Sequence, residues 1–467
     1  MADAAWDQPL VRELRERITG HVLGREDAGY EGARQLFNAA VEAEPKVIAQ
    51  CANPDDVAIA LAFAQRNALE IAVRSGGHSV AGASLAADGL VIDLRPMNAV
   101  SVDPDAGVVT VGGGALWRDL DGAAQEHGLA TTGGRVSTTG VAGLTLGGGS
   151  GWLERRFGLA CDNLLAVDLV IADGSRVTAS ETENPDLFWA LHGGGGNFGV
   201  ATSLTFRLHP LPEFAAALML WRPEDAEPVV RAYRDLMDEA PDDLGGGVLY
   251  LTGPDEDFVP ADLIGSLACA VLVTCAGSEL ELREHIRPLL DRRPAGSVVM
   301  QLPYAELQCM LDDPPGYRNY WSAEYLRELP DPAVERFCTR AADMVIPSPS
   351  QHVLFPWGGA VARGDGRWPM SNRSTPWVVH PLGLWEDPAD DERARRWAHA
   401  IRDDMAPYRT GAVYLNFIGD EGESRVVAGF GEENYQALAR IKAQYDPDNI
   451  FHRWHNVRPA RPVGLSG

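Results

Sequence analysis

A single histidine stands inside a turn made almost wholly of small residues. In R-S-G-G-H-S at residues 74–79, His78 is flanked by Gly77 and Ser79, so its ring is free to leave the backbone toward whatever the loop holds. A lone loop histidine is more often a hydrogen-bonding or solvent-facing group than a reactive one. Three more glycine-bearing stretches follow at residues 111–114, 140–151 and 193–199. Glycine admits positive φ and lets backbone N–H groups close on a ligand, which is one way a pyrophosphate is cradled. For any one such loop a tight turn between strands is the plainer reading. Four of them in one half of the chain point to a cradle.

The elements that must hold these loops follow from periodicity. Leu10, Leu14 and Ile18 recur at helical spacing, and a second helix runs through Ala33, Phe37, Ala40 and Val41. Asp55 and Asp56 after Pro54 can cap a third, with Val57 and Leu61 on its inner face. Short strands are predicted at 70–75, 90–94 and 108–111, and a helix at 116–127 that stops at Gly128. Asp173-Gly174 then turns a buried strand at 164–172 into one at 176–179. This first part is α+β. From about residue 214, longer strands (216–221, 248–251, 267–274, 353–362, 378–384) alternate with amphipathic helices (279–290, 333–345, 390–405), which predicts a second domain, a sheet covered on one face by helices. Residues 411–457 predict a strand at 412–418 and a helix at 434–444 that Pro447 must end.

A Rossmann crevice needs its glycine turn to open a helix directly after a strand. Here the His78 segment leads into the strand at 90–94 with no helix between, so phosphate would meet loop amides and NAD binding of that type is not expected. Composition narrows the classes further. With 45% hydrophobic and 23% charged residues, the 467-residue chain is neither disordered nor collagenous and has length for two or three domains. Its formal charge is −26, and Lys46 and Lys442 are the only lysines, which excludes a general nucleic-acid surface. Six cysteines without a C-x-x-C pair argue for free thiols in a reducing compartment and against a zinc site, so no metal is expected. No export segment and no membrane span is read, and a cytoplasmic location is the expectation.

Seven blocks in order resemble the FAD-linked oxidases of the berberine-bridge-enzyme type, within the vanillyl-alcohol-oxidase superfamily with its PCMH-type FAD domain. They are R-S-G-G-H-S at 74, T-G-V-A-G-L-T-L-G-G-G at 139, G-L-A-C-D-N-L-L at 158, N-P-D-L-F-W-A-L at 184, G-G-G-G-N-F-G-V at 193, Y-L-N-F at 414 and Y-D-P-D-N-I-F at 445. The resemblance implies an α+β fold: a two-subdomain FAD-binding domain (1–213) with an inserted substrate domain (214–410), an antiparallel sheet covered by helices, and a C-terminal segment (411–467) returning to the FAD domain. It implies FAD attached covalently through His78. Arg74, Ser75, Gly76, Gly77, Ser79, Thr138, Thr139, Gly143, Asn163 and Val200 fall in the blocks that hold the cofactor, and Tyr414 and Asn416 in a strand that returns to the flavin.

Two departures from the family pattern matter. Relatives with a second flavin bond use a cysteine where this chain has Val136, so no cysteinyl link is expected, and Cys161 reads as a buried small residue. Sugar- and alcohol-oxidising relatives carry Y-x-N-Y, whose last tyrosine takes the substrate proton; here it is Phe417, which cannot. Tyr414, Tyr320 and His380 are the candidate catalytic residues that remain. Thr139 is small, which in the family leaves room for O2. The implied function is an oxidase that moves a hydride from a small organic molecule, such as a secondary metabolite, phenol, amine or carbohydrate, to flavin N5, with O2 returning as H2O2. The alternatives are a dehydrogenase, cyclase or oxygenase of the same fold with another acceptor, and a flavin-binding protein without turnover. The inserted domain's Tyr317, Tyr320, Trp321, Trp357, Trp377 and Trp385 are candidate pocket walls. The sequence carries no signal of oligomeric state.

Overall fold

A computed structural model describes residues 4–461. Three large sheets carry the chain, beside a two-stranded pairing of Leu129–Ala130 with His209–Pro210. The first contains β1 (His21–Leu23), β2 (Val47–Gln50), β3 (Ile71–Arg74) and β4 (Leu90–Asp93) in the order β1-β2-β4-β3. β2 and β3 both run parallel to β4, an arrangement that requires a crossover, and helix α1 (Pro54–Arg66) supplies it between β2 and β3. Pro54 stands in the first turn, where its missing N–H costs nothing. The cap is Asn53, which accepts from the N–H groups of Asp55 and Asp56, rather than either aspartate. Asp56 reaches back instead and takes the N–H groups of Thr19 and Gly20. Residues 75–89, between β3 and β4, contain no helix and carry His78.

The second sheet is antiparallel, β5 (Val100–Asp103), β6 (Val108–Gly112), β7 (Leu164–Val170), β8 (Arg176–Ser180) and β9 (Val200–Arg207), ordered β5-β6-β9-β7-β8. Between β6 and β7 lie α2 (Trp117–Gln125) and α3 (Val141–Leu146), the latter inside the longest glycine block.

The third sheet is the eight-stranded antiparallel one: β10 (Ala215–Trp221), β11 (Leu244–Thr252), β12 (Leu267–Cys275), β13 (Gly296–Gln301), β14 (Arg318–Trp321), β15 (Glu324–Leu326), β16 (Gln351–Pro356) and β17 (Trp377–Trp385). Its order is β13-β10-β12-β11-β16-β17-β14, with β15 also pairing β17. Both faces are covered, so its inner strands read as continuous apolar runs. In β12, Cys269, Val271 and Val273 face helices including α4 (Ala226–Asp238), α5 (Asp331–Arg340) and α6 (Asp391–Asp404). Ala268, Ala270 and Leu272 face the other way, toward the second sheet and the glycine loops. That two-sided burial makes the molecule an α+β fold whose inserted antiparallel sheet is covered by helices on one face.

Three expected elements differ. The second N-terminal helix is only Tyr30–Arg34, and Phe37 continues into a loop. The strand expected at 353–362 ends at Pro356, after which Gly358 (φ 115°) and Gly359 (φ 53°) turn the chain into a short helix, Gly359–Arg363. The strand expected at 412–418 is absent; residues Leu415–Phe417 make one 3-10 turn, because the side chains there are tied to a glycine loop instead of joining a ladder. Helix α7 (Glu432–Tyr445) ends two residues before Pro447. No helix among the described residues is long and apolar enough to cross a membrane.

Candidate functional site

A cavity of about 510 Å³ opens between the glycine loops and the inner face of the third sheet. The period of two in β3 decides its first wall: Ile71, Val73 and Ser75 face the cavity, while Arg74 points the opposite way. Arg74 spends its guanidinium on the carbonyls of Ala33 and Gln35, so it anchors the N-terminal segment and is not a cavity ligand as expected. Gly76, Gly77, His78 and Ser79 line the cavity, as do Thr139, Gly140 and Gly143 from the second loop. The two loops touch through backbone: a Cβ on Gly76 would fall 2.3 Å from the Gly140 nitrogen, and one on Gly140 would fall 2.4 Å from Ser75 Oγ. Ser75 Oγ is buried without a hydrogen-bond partner among the described residues. An orphaned hydroxyl beside a glycine-only cradle fits a group with phosphate or carbonyl oxygens, as FAD has.

His78 stacks on Phe37 with centroids 4.2 Å apart and planes at 17°. Its Nε2 lies 3.0 Å from Thr138 Oγ1, which leaves Nδ1 without a bond to any described residue. Burial, together with the nearby Arg74 charge and against the Thr138 contact, pulls its pKa to about 4, so the ring is neutral near pH 7. Phe37 was read as a helix residue; nothing in its spacing signals contact with an imidazole 41 positions on.

Opposite this loop the C-terminal turn meets the sheet. Tyr414 is fully buried, and its phenolic oxygen accepts from Gly149 N (2.7 Å), Ser150 N (3.0 Å) and Asn416 Nδ2 (3.0 Å). Gly148 (φ 124°) must be glycine here, since a Cβ would lie 2.9 Å from the Tyr414 ring. Burial raises the phenol above its ordinary range. Tyr414 is therefore a loop anchor outside the cavity wall, a correction to its expected catalytic place, whereas Asn416 and Phe417 do line the wall.

His380 of β17 lines it too, stacked on Phe417 at 4.1 Å and 12°. Its Nδ1 is 2.8 Å from the Ser322 carbonyl, and since a carbonyl only accepts, Nδ1 carries the proton and Nε2 holds the free lone pair. Burial, opposed by the Ser322 bond and helped by Arg135, takes its pKa to about 3. Ser322 is itself held, donating Oγ–H to Glu421 at 2.6 Å.

Several expected residues are placed elsewhere. Tyr320 alternates away from its neighbour Trp321, bonds His399 Nε2 at 2.7 Å under α6, and does not reach the cavity. Asn163 braces the 157–159 turn through Nδ2 and accepts from His209 at 2.7 Å, again outside the wall. Val200 turns its side chain into the core beneath the first sheet, while its neighbours Gly199 and Ala201 line the cavity. Of the six expected wall aromatics only Trp321 lines it; Trp385, for example, donates to Asp391 on the far face. Val136 is in the wall, and Cys161 is fully buried away from it. Residues not anticipated are Arg135, Asp312, Asp313 and Gln351. Of these only Gln351 had a signal, the alternation Gln351, Val353, Phe355 along β16.

With this geometry in hand, the chain matches the family model for an FAD binding domain over residues 45–180 and the berberine and berberine-like model over 413–458. It is 30% identical to (R)-6-hydroxynicotine oxidase of Paenarthrobacter nicotinovorans, covering 95% of this chain and 97% of that one. It is 31% identical to the FAD-linked oxidoreductase pgmH of Aspergillus terreus, covering 98% and 97%. Among solved structures, 6-hydroxy-D-nicotine oxidase of Arthrobacter nicotinovorans superposes with a TM-score of 0.82 at 27% identity over 95% of this chain and 98% of that one. The BBE-like 1 protein of Physcomitrella patens shares the fold, with a TM-score of 0.86 at 21% identity over 97% and 99%. The glycine cradle and the inserted sheet define a PCMH-type FAD-binding oxidoreductase. This chain belongs to the berberine-bridge-enzyme-like FAD-linked oxidoreductases.

Proposed function

We propose that the protein is an FAD-linked oxidase of a small organic donor, its flavin tethered through His78. When bound, FAD supplies the two-electron chemistry, accepting a hydride from a donor C–H at N5 and passing the electrons to O2 to give H2O2. Residues 1–213 and 411–467 then hold the cofactor, and 214–410 shape the donor side. The observation that carries this reading is a neutral His78 at the cavity wall whose Nδ1 has no hydrogen bond to any described residue. Ser75 and the Gly76–Gly140 contact would receive the cofactor's polar edge. Val136, in place of a cysteine, supports a single tether.

On the donor side, His380 takes over the part that Phe417 cannot play. Its Nε2 accepts the O–H or N–H proton of a donor as the C–H bond breaks, and the Ser322 bond with the Phe417 stack fixes the ring. Thr139, in the wall beside Gly140, leaves room for O2. An anaerobic panel of alcohols, amines and phenolics tests the reading. At least one class is expected to bleach the flavin, and admitting air should restore the colour with one H2O2 per donor consumed. Bleaching without peroxide on reoxidation would overturn the oxidase assignment.

A further inference from the structure

Asp313 is a carboxylate in the cavity wall that the chemistry above leaves unused. One oxygen, Oδ1, accepts from Gln351 Nε2 at 2.9 Å, and Oδ2 has no hydrogen bond to any described residue. Neighbouring Asp312 is held by Ser137, whose N–H and Oγ–H each donate to it at 2.5 Å. Neither carboxylate has an ion-pair partner among the described residues. The cavity's arginines do not serve them: Arg135 is paired with Glu154 at 2.7 Å, and Arg453 with Glu70 at 2.8 Å. The wall thus carries two carboxyl groups without a cationic partner, and ionising Asp313 in this half-buried place is costly unless a cationic ligand answers it.

Register fixes where that charge lies. Gln351 pairs with Leu382 and Val353 with His380, so Gln351 and His380 are diagonal neighbours, about 7–8 Å apart. Around them stand Trp321, Phe355 and Phe417; His380 stacks on Phe417 at 4.1 Å and the Arg135 guanidinium lies 3.8 Å over Phe355, so these rings offer a donor apolar contact rather than open faces for its charge.

Resting on the oxidase reading, we propose that Asp313 is a specificity-determining residue and that the donor is a protonated amine, its cationic nitrogen on Asp313 Oδ2 and its apolar body against these aromatics. Burial, with the Asp312 charge and against the Gln351 bond, raises Asp313 to about 7. The cavity's histidines stay uncharged in that range, His78 held low to about 4 and His380 to about 3, and Arg135 is paired with Glu154 at 2.7 Å. Amine affinity should therefore rise with pH through about 7 as Asp313 ionises.

The test uses the purified holoprotein, calorimetry and two probes, 4-phenylpiperidine and its neutral counterpart 4-phenyltetrahydropyran. At about pH 8 the wild type should bind the amine at least about tenfold more tightly. Asp313→Asn should bring the ratio near one, and Asp313→Glu should restore part of it. Equal affinities in the wild type, or an unchanged ratio in Asp313→Asn, would overturn the proposal. Should the Asn variant fail to fold, the wild-type pH profile decides: amine binding that does not weaken below about pH 7 contradicts it. Flavin content is scored separately by absorbance, so a colourless protein counts against the oxidase reading while the probe ratio still judges Asp313.

Discussion

His380 is presented to the cavity with its proton already placed on Nδ1, and its low pKa keeps Nε2 unprotonated through the whole neutral range. His380→Gln should lower kcat by about 10²–10⁴ with the flavin spectrum retained, as expected for loss of a proton acceptor. Activity within tenfold of wild type would remove His380 from that part. In the proposed oxidase cycle Thr139 acts in the other half-reaction. Thr139→Leu should slow flavin reoxidation by at least about tenfold in stopped flow, a barrier change of about 1.4 kcal/mol, while donor-driven reduction is unaffected. At this scale the sequence was legible where backbone demands fix residue type, as in the Gly76–Gly140 cradle around His78. It was opaque where a side chain's direction depends on strand phase, which turns Tyr320 outward and His380 inward, and on tertiary bonds, which withdraw Tyr414 into its loop.

The elements are tied together at a few buried charges. Glu324 on β15 has no exposed side chain and accepts from Arg402 of α6 (3.2 Å) and from Arg409 (3.1 Å), while Arg425 of the C-terminal segment approaches to 3.2 Å. Glu421, beside it, holds Ser322 and hence the His380 ring. Glu324→Ala leaves Arg409 without its carboxylate while Arg402 and Arg425 keep Glu421, and should cost about 1–3 kcal/mol in denaturant unfolding. A loss below about 1 kcal/mol would show that the pairs are screened. Strands buried on both faces announced themselves: the run at 267–274 is β12 and that at 378–384 is β17. The edge strand β13, mostly half-exposed, gave no such run. Helix α4 was passed over although Val229, Val230, Tyr233 and Met237 mark its inner face at helical spacing.

For the whole molecule, the histidines set the acid behaviour. His192, His352 and His380 are buried and neutral, with burial lowering them to about 4, about 3 and about 3. Each binds a proton in the unfolded chain below about pH 6.5 and not in the folded one, so stability must fall as pH drops through that window. Asp121 and Asp313, each raised by burial to about 7, oppose this, because each holds in the folded chain a proton that the unfolded chain has lost. The balance predicts a loss of about 1–3 kcal/mol per pH unit between about pH 6 and 4.5. A Tm that is level or rising on acidification would contradict it. The family and the α+β layout were readable because the glycine blocks are rigid in type and order. The donor site was not, because Phe37, residues 135–139, Asp313, β16, β17 and Phe417 meet only after three sheets have packed. The account rests most heavily on His78, and acid precipitation of the purified protein tests it most directly. A yellow pellet that keeps its flavin in the wild type and loses it in His78→Ala is the predicted result. Flavin released to the supernatant of the wild type would contradict the tether.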